Sequence, residues 1–343
     1  VHFSTIPRIT RNGQKKVKLI WQCQRLSVCD STGGFARSFW QIRRSIAVKL
    51  LSCERKAGNE SFLSYAEAMG TLNFLARLVL VSAPLAATFG QAAIADPPYD
   101  DTVGTVFDII KSSDATTFMC LKGLDRAERQ IWDKRVDGEP TVMAYLFQAH
   151  YSDGTNIEIA INPEFGSQEA AQTQALRFAK PLGRLPTLLR QGIEKFSLHK
   201  GDRGFHAGSG QVVFYSDAAS QRESYDHLEE SLFHEAVHAS LDEAHRLAPG
   251  WIAAQQADGG FLTNYAARSP EREDLAETAL FAFAILHFPD RFPPNDTDEV
   301  LKAIPHRYAY IREHFFPIDK PLTWQVAPPA DCSDCAGGSC IND

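Results

Sequence analysis

The chain has 343 residues, 44% of them hydrophobic and 22% charged, enough for a packed core in one large domain or two ordinary ones. No stretch is low in complexity, and no repeat occurs at solenoid periods. The formal net charge of -7 is uneven: residues 1–95 carry 13 Lys+Arg and 4 Asp+Glu (+9) and residues 96–343 carry 22 and 38 (-16), a balance that repels phosphate and argues against nucleic acid as a partner of the second part.

The first Met is Met69. From there Arg77 precedes an apolar run, Leu78 to Phe89, and a small-residue ending, Ala93-Ile94-Ala95. This layout predicts a secretory signal peptide over 69–95, cleaved after Ala95. The run is short for a spanning helix and Pro84 interrupts it, so no stable membrane insertion is expected after cleavage. Residues 1–68 then read as an upstream extension, non-native or disordered; a basic nucleic-acid-binding arm is the alternative. The expected location is secreted or periplasmic. Residues 96–325 are expected to form one catalytic domain and 326–343 a Cys-rich tail.

Within 96–343, GTVFDIIKS (104–112) suggests a first helix. TVMAYLFQAHY (141–151) and TNIEIAINPEF (155–165) alternate as strands around a turn at Ser152-Asp153-Gly154. QEAAQTQALRFA (168–179) reads as a helix, and Pro186 opens a short one. GDRGFHAGSG (201–210) lacks the Lys-Ser/Thr ending of a phosphate loop and is expected to shape the approach to a strand with edge character, GQVVFYSD (210–217). Helical patterns follow at about 223–246, 270–287 and 298–314. Two or three strands followed by helices predict an α+β fold.

FHEAVHASLDEAH (233–245) carries the chemistry. At helical spacing His227, Ser231, His234, His238, Asp242 and His245 share one stripe, while the rest of the helix is largely apolar. A His-rich stripe on a buried helix needs an internal partner, and a metal supplies one. His234 and His238, four apart, can bind a single ion, and Glu235 adjoins them as general base.

A catalytic zinc has three protein ligands and an open position. The position ten beyond His234 is Ala244, with His245 one place late, and Leu241 stands where the turn-permitting Gly of three-His sites belongs. A carboxylate from a later helix is the other solution. NYAARSPEREDLAETALFAF (264–283) offers Glu273 as ligand, with Glu277 four residues on as the partner that orients a ligating His. Asp242, one turn past His238, could bond that ring or bind the metal, and His245 remains a substitute ligand.

HEAVH followed by EREDLAE resembles the zincin metallopeptidases of the Glu-ligand kind, the gluzincins, and EREDLAE (271–277) is similar to the corresponding segment of the anthrax lethal factor catalytic domain. The resemblance spans roughly residues 210–285. It implies a zincin-like fold, in which a small mixed or antiparallel sheet packs on the HExxH helix ahead of a mainly helical C-terminal subdomain. It also implies one Zn2+ held by His234, His238 and Glu273. By resemblance alone, Tyr265 stabilises the oxyanion.

The expected function is thus an exported zinc metallopeptidase, cleaving a peptide or protein substrate with a zinc-activated water and Glu235 as base. The alternatives are hydrolysis of a non-peptide amide, or a non-catalytic secreted binding module on the same scaffold. Cys120, Cys332, Cys335 and Cys340 are expected to form disulfides in an exported chain, with a zinc knuckle in the tail, which holds no His, as the alternative.

Overall fold

The computed structural model describes residues 96–104 and 107–333. The expected signal peptide, the upstream extension, Cys335 and Cys340 lie outside the described residues.

Seven strands form one mixed sheet: β1 (Phe118–Gly123), β2 (Ala127–Gln130), β3 (Thr141–Tyr151), β4 (Asn156–Ile161), β5 (Lys195–His199), β6 (His206–Gly208) and β7 (Gln211–Tyr215). Their order is β1-β3-β4-β5-β7-β6, with β2 also against β3. β4/β5 and β5/β7 are parallel and the other pairs antiparallel. The β3–β4 hairpin turns at Gly154 (φ 86°), where a Cβ would collide with the backbone of Ala327 in the C-terminal strap. β6 and β7 are joined by Ser209-Gly210, both at positive φ, as a two-residue hairpin with the strands' own twist requires.

Among the described residues ten α-helices accompany the sheet and continue beyond it: α1 (Gln168–Leu182), α2 (Thr187–Arg190), α3 (Ser216–Ser224), α4 (Leu228–Ser240), α5 (Asp242–His245), α6 (Pro249–Asp258), α7 (Asn264–Arg268), α8 (Asp274–His287), α9 (Pro294–Ala303) and α10 (Pro305–His314). The fold is α+β, a mixed sheet followed by a mainly helical C-terminal region. The crossover from β4 to β5 runs through α1, whose Phe178 packs against Phe196 of β5 and Phe214 of β7. α4 is buried on nearly every side, and Phe233 on it meets Phe283 of α8 at 4.8 Å between ring centroids.

Several expected boundaries move for local reasons. The long helix over 223–246 is three: Asp226 adopts a left-handed φ of 51°, which separates α3 from α4, and the regular helix is interrupted again at Leu241, whose φ opens to -117°. The pattern over 298–314 divides at Pro305, which opens α10. Strands β1, β2, β5 and β6 exceed the two or three expected. GQVVFYSD has no edge character, because β7 is paired on both sides; the edge is β6. Trp251, with Pro249 and Gly250, can be read from the sequence as a helix break and core anchor; it is fully buried, but it lies inside α6 and not at a break.

No helix forms over the described part of 104–112. Ile109 and Ile110 are buried, but their amides donate to Glu230 Oε1 of α4, at 2.6 and 2.8 Å, instead of to helical carbonyls. Burial pushes the Glu230 carboxyl up to about 8. Because the folded value lies above the unfolded one, the stability contributed by its protonated form is complete below about pH 4.5 and is lost as pH rises through about 8. Glu230→Gln, which cannot ionise, is expected to flatten the fall in urea midpoint between about pH 5 and about pH 8.5. Parallel midpoint curves for the two proteins would show that Glu230 does not set this slope.

Cys120 of β1 and Cys332 form a disulfide that ties the C-terminal strap to the sheet. Such bonds persist in oxidising compartments. Among the described residues no helix is long and apolar enough to cross a membrane.

Candidate metal centre

α4 presents His234 and His238 on the side that meets α8, as the four-residue spacing requires. Glu273 stands at the N-cap of α8. That helix starts later than Ser269 or Pro270: Ser269 O first accepts the amides of Arg272 and Glu273, and this turn aims Glu273 back at α4. His234 Nε2 lies 3.2 Å from His238 Nε2 and 3.6 Å from Glu273 Oε2, and His238 Nε2 lies 3.1 Å from that same oxygen. All three residues are buried.

These atoms fit a metal ion. A tetrahedral ion with ligands at about 2.0 Å spaces neighbouring ligand atoms about 3.3 Å apart. Two imidazole Nε2 atoms 3.2 Å apart cannot both carry protons toward each other, whereas both can offer lone pairs to a cation between them. The remaining nitrogens are occupied from behind. His238 Nδ1 donates to Asp242 Oδ2 (2.9 Å), and His234 Nδ1 lies 3.3 Å from Glu277 Oε1. Carboxylates in these positions make the rings better ligands and hold their tautomers. The group His234, His238 and Glu273 can therefore hold a metal ion.

The electrostatics agree. Burial disfavours a charged His238, but its bonds to Asp242 and Glu273 prevail and push it up to about 10. Burial alone would raise Glu273, yet the two His rings hold it well below the usual carboxylate range. Burial raises Glu235 and Glu277. The site gathers buried and half-buried carboxylates around two imidazoles, a setting that favours a cation.

Glu235 and Tyr265 line the same cleft as the triad, a space of about 970 Å³. Tyr265 lies on α7, which Thr263 caps, and its hydroxyl feels the charge of the Glu273 carboxylate. Burial, followed by the charge of Glu273, raises the Tyr265 hydroxyl well above its usual value, so it remains a proton donor. Asp242 serves as the partner of His238. His245 is not brought to the centre: the break at Leu241 turns it away, and its Nδ1 bonds Tyr310 (2.9 Å). His227 caps α4 and donates to Thr102 O (2.9 Å).

Three cleft residues had no warning in the sequence. Lys134, in the hairpin between β2 and β3, reaches the carbonyl of Phe205 just ahead of β6 and lies near Glu235 and Glu273. Arg272 and His206 share the cleft with it. Nothing in WDKRVDGE marks its Lys as different from any turn residue, because what brings it to the cleft is long-range: Tyr215 OH accepts the Lys134 amide and donates to Asp133.

No protein-family model matches the chain, and no curated protein or solved structure is significantly similar to it.

Proposed function

We propose that the protein is an exported zinc metallopeptidase of the gluzincin type. The observation that carries this reading is the convergence of His234, His238 and Glu273 in one cleft with Glu235 and Tyr265. Two imidazoles and one carboxylate, with space beside them, are the donor set of a catalytic zinc rather than a closed structural one. Zinc held there supplies Lewis acidity toward a carbonyl and toward water.

The remaining steps belong to side chains. Glu235 takes a proton on its carboxylate from the attacking water and hands it to the leaving amine. Burial raises its proton affinity, which suits a group that must both accept and return a proton. The Tyr265 hydroxyl donates to the oxygen that gains charge at the scissile carbonyl. An extended peptide is held by backbone pairing along the free side of β6, which borders the cleft at His206, Ala207 and Gly208. Export follows from the signal-peptide pattern over 69–95, and the Cys120–Cys332 disulfide supports it.

The test is cleavage of a quenched-fluorescence peptide library by the purified protein, abolished by chelation and restored by zinc. Tyr265→Phe is expected to lower kcat about 100-fold with little change in KM, since the hydroxyl acts on charge that develops only in the transition state. An unchanged kcat would remove Tyr265 from the reaction. Absence of cleavage by the zinc-loaded protein would overturn the peptidase reading.

A further inference from the structure

The metal centre is closed on one side by a segment that contributes no ligand. Residues 99–102 run beside α7 and between α4 and α8. Tyr99 pairs with Thr263, and Tyr99 O accepts the amide of Asn264 (2.8 Å). Asp100 O accepts the amide of Tyr265 (2.9 Å), and Asp100 Oδ1 accepts Asn264 Nδ2 (2.8 Å). Thr102, 2% exposed, lies directly behind His234.

Every polar atom of Thr102 is committed. Its amide donates to Glu277 Oε2 (3.0 Å), its hydroxyl donates to Glu277 Oε1 (2.7 Å), and its carbonyl accepts from His227 Nε2 (2.9 Å). A hydroxyl has one hydrogen, and here the Glu277 carboxylate takes it. What Thr102 Oγ1 presents to His234 Nδ1, 3.3 Å away, is therefore a lone pair. Glu277 Oε1 presents another from 3.3 Å. Two acceptors at Nδ1 require the hydrogen of the neutral imidazole to sit there, which leaves the Nε2 lone pair facing His238 and Glu273.

We infer that Thr102 is a positioning residue of the metal centre: it clamps both oxygens of Glu277 and, with them, sets the tautomer and ring orientation in which His234 ligates. The same segment holds the amides of Asn264 and Tyr265, so one short strap registers a metal ligand and the Tyr265 hydroxyl against each other. This rests on the metal-site reading above and adds a residue that no spacing rule connects to HEAVH, since it lies far upstream of the helix.

The experiment compares the zinc dissociation constants of the parent, Thr102→Val and Thr102→Ser by competition with a chromophoric chelator, alongside thermal melts of the metal-free proteins. Val keeps the shape and removes the hydroxyl; Ser keeps the hydroxyl. Thr102→Val is expected to bind zinc roughly 10- to 100-fold more weakly, the usual cost of losing a group that orients a metal ligand, while Thr102→Ser stays close to the parent. Equal affinity of Thr102→Val and the parent overturns the inference and leaves the metal site intact. Equal weakening in both variants, in step with lower metal-free melting temperatures, also overturns it and makes Thr102 a packing residue. A parent that binds no zinc overturns both this inference and the reading on which it rests. If Thr102→Val does not fold, nitrogen-15 spectra of the zinc-loaded parent decide: His234 protonated on Nδ1 supports the assignment, and protonation on Nε2 overturns it.

Discussion

Glu235→Gln is expected to lower kcat/KM for peptide cleavage by roughly 1,000-fold, within the span that positioned general bases contribute, while leaving metal content unchanged. The two halves of this result have separate causes. Gln matches Glu in shape but cannot accept and return a proton at neutral pH. Glu235 is also absent from the three donors that converge, so its loss removes no ligand. The parent's pH profile should carry the same signature. Burial raises the Glu235 carboxyl, against the pull of His234, His238 and Lys134. Activity therefore falls on the acid side as pH drops through a value above the ordinary carboxylate range, because the base must be ionised to act. Metal analysis and kinetics on the same preparation check both halves. A Glu235→Gln protein with parental kcat/KM would end the assignment of Glu235 as base.

His238→Ala should have the larger effect on the protein as a whole. It removes one of the three donors that could hold a metal and strands Asp242 and Glu273, which now bond that ring. An ion present at about 1,000 times its dissociation constant stabilises a fold by about 4 kcal/mol. Chelation is thus expected to lower the thermal midpoint of the parent and to leave that of His238→Ala unmoved, since the variant has no ion to lose. The pH dependence has a definite sign. Without metal, His238 is pushed up to about 10, so it must release a proton to ligate. Metal affinity is expected to weaken as pH falls, with proton uptake on metal release. Scanning calorimetry with and without chelator measures the first effect; a midpoint indifferent to chelation in the parent would count against any tightly held ion.

The parts of the site readable in the sequence are those governed by helical spacing. His234 and His238 at i and i+4, Asp242 one turn beyond, and Glu273 with Glu277 four further on all follow from the geometry of a single helix or its first turn. The pairing of those two helices came from the need of a two-His site for a third ligand and from resemblance, because no spacing rule relates residue 238 to residue 273. Thr102 and Lys134 were hidden for the same reason: each reaches the site through long-range hydrogen bonds that leave no periodic trace. His245 shows the converse. It lay on the expected stripe, and a backbone break at Leu241 that its neighbours did not announce took it off. The fold was legible where strands alternate cleanly, as in β3 and β4. It was not where a strand is as short as β6 or carries polar ends, as in Lys195 and His199 of β5. The segment 104–112 misled because its apolar spacing is real, but Glu230 takes the amides that a helix would have used.

The most direct measurement is elemental analysis of the purified protein beside Glu273→Ala, each offered zinc and then freed of excess. About one zinc per chain in the parent, and little or none in Glu273→Ala, is the expected result for a site of two His and one Glu. A folded parent that retains no metal would contradict it and return FHEAVHASLDEAH to the buried polar stripe of an ordinary helix.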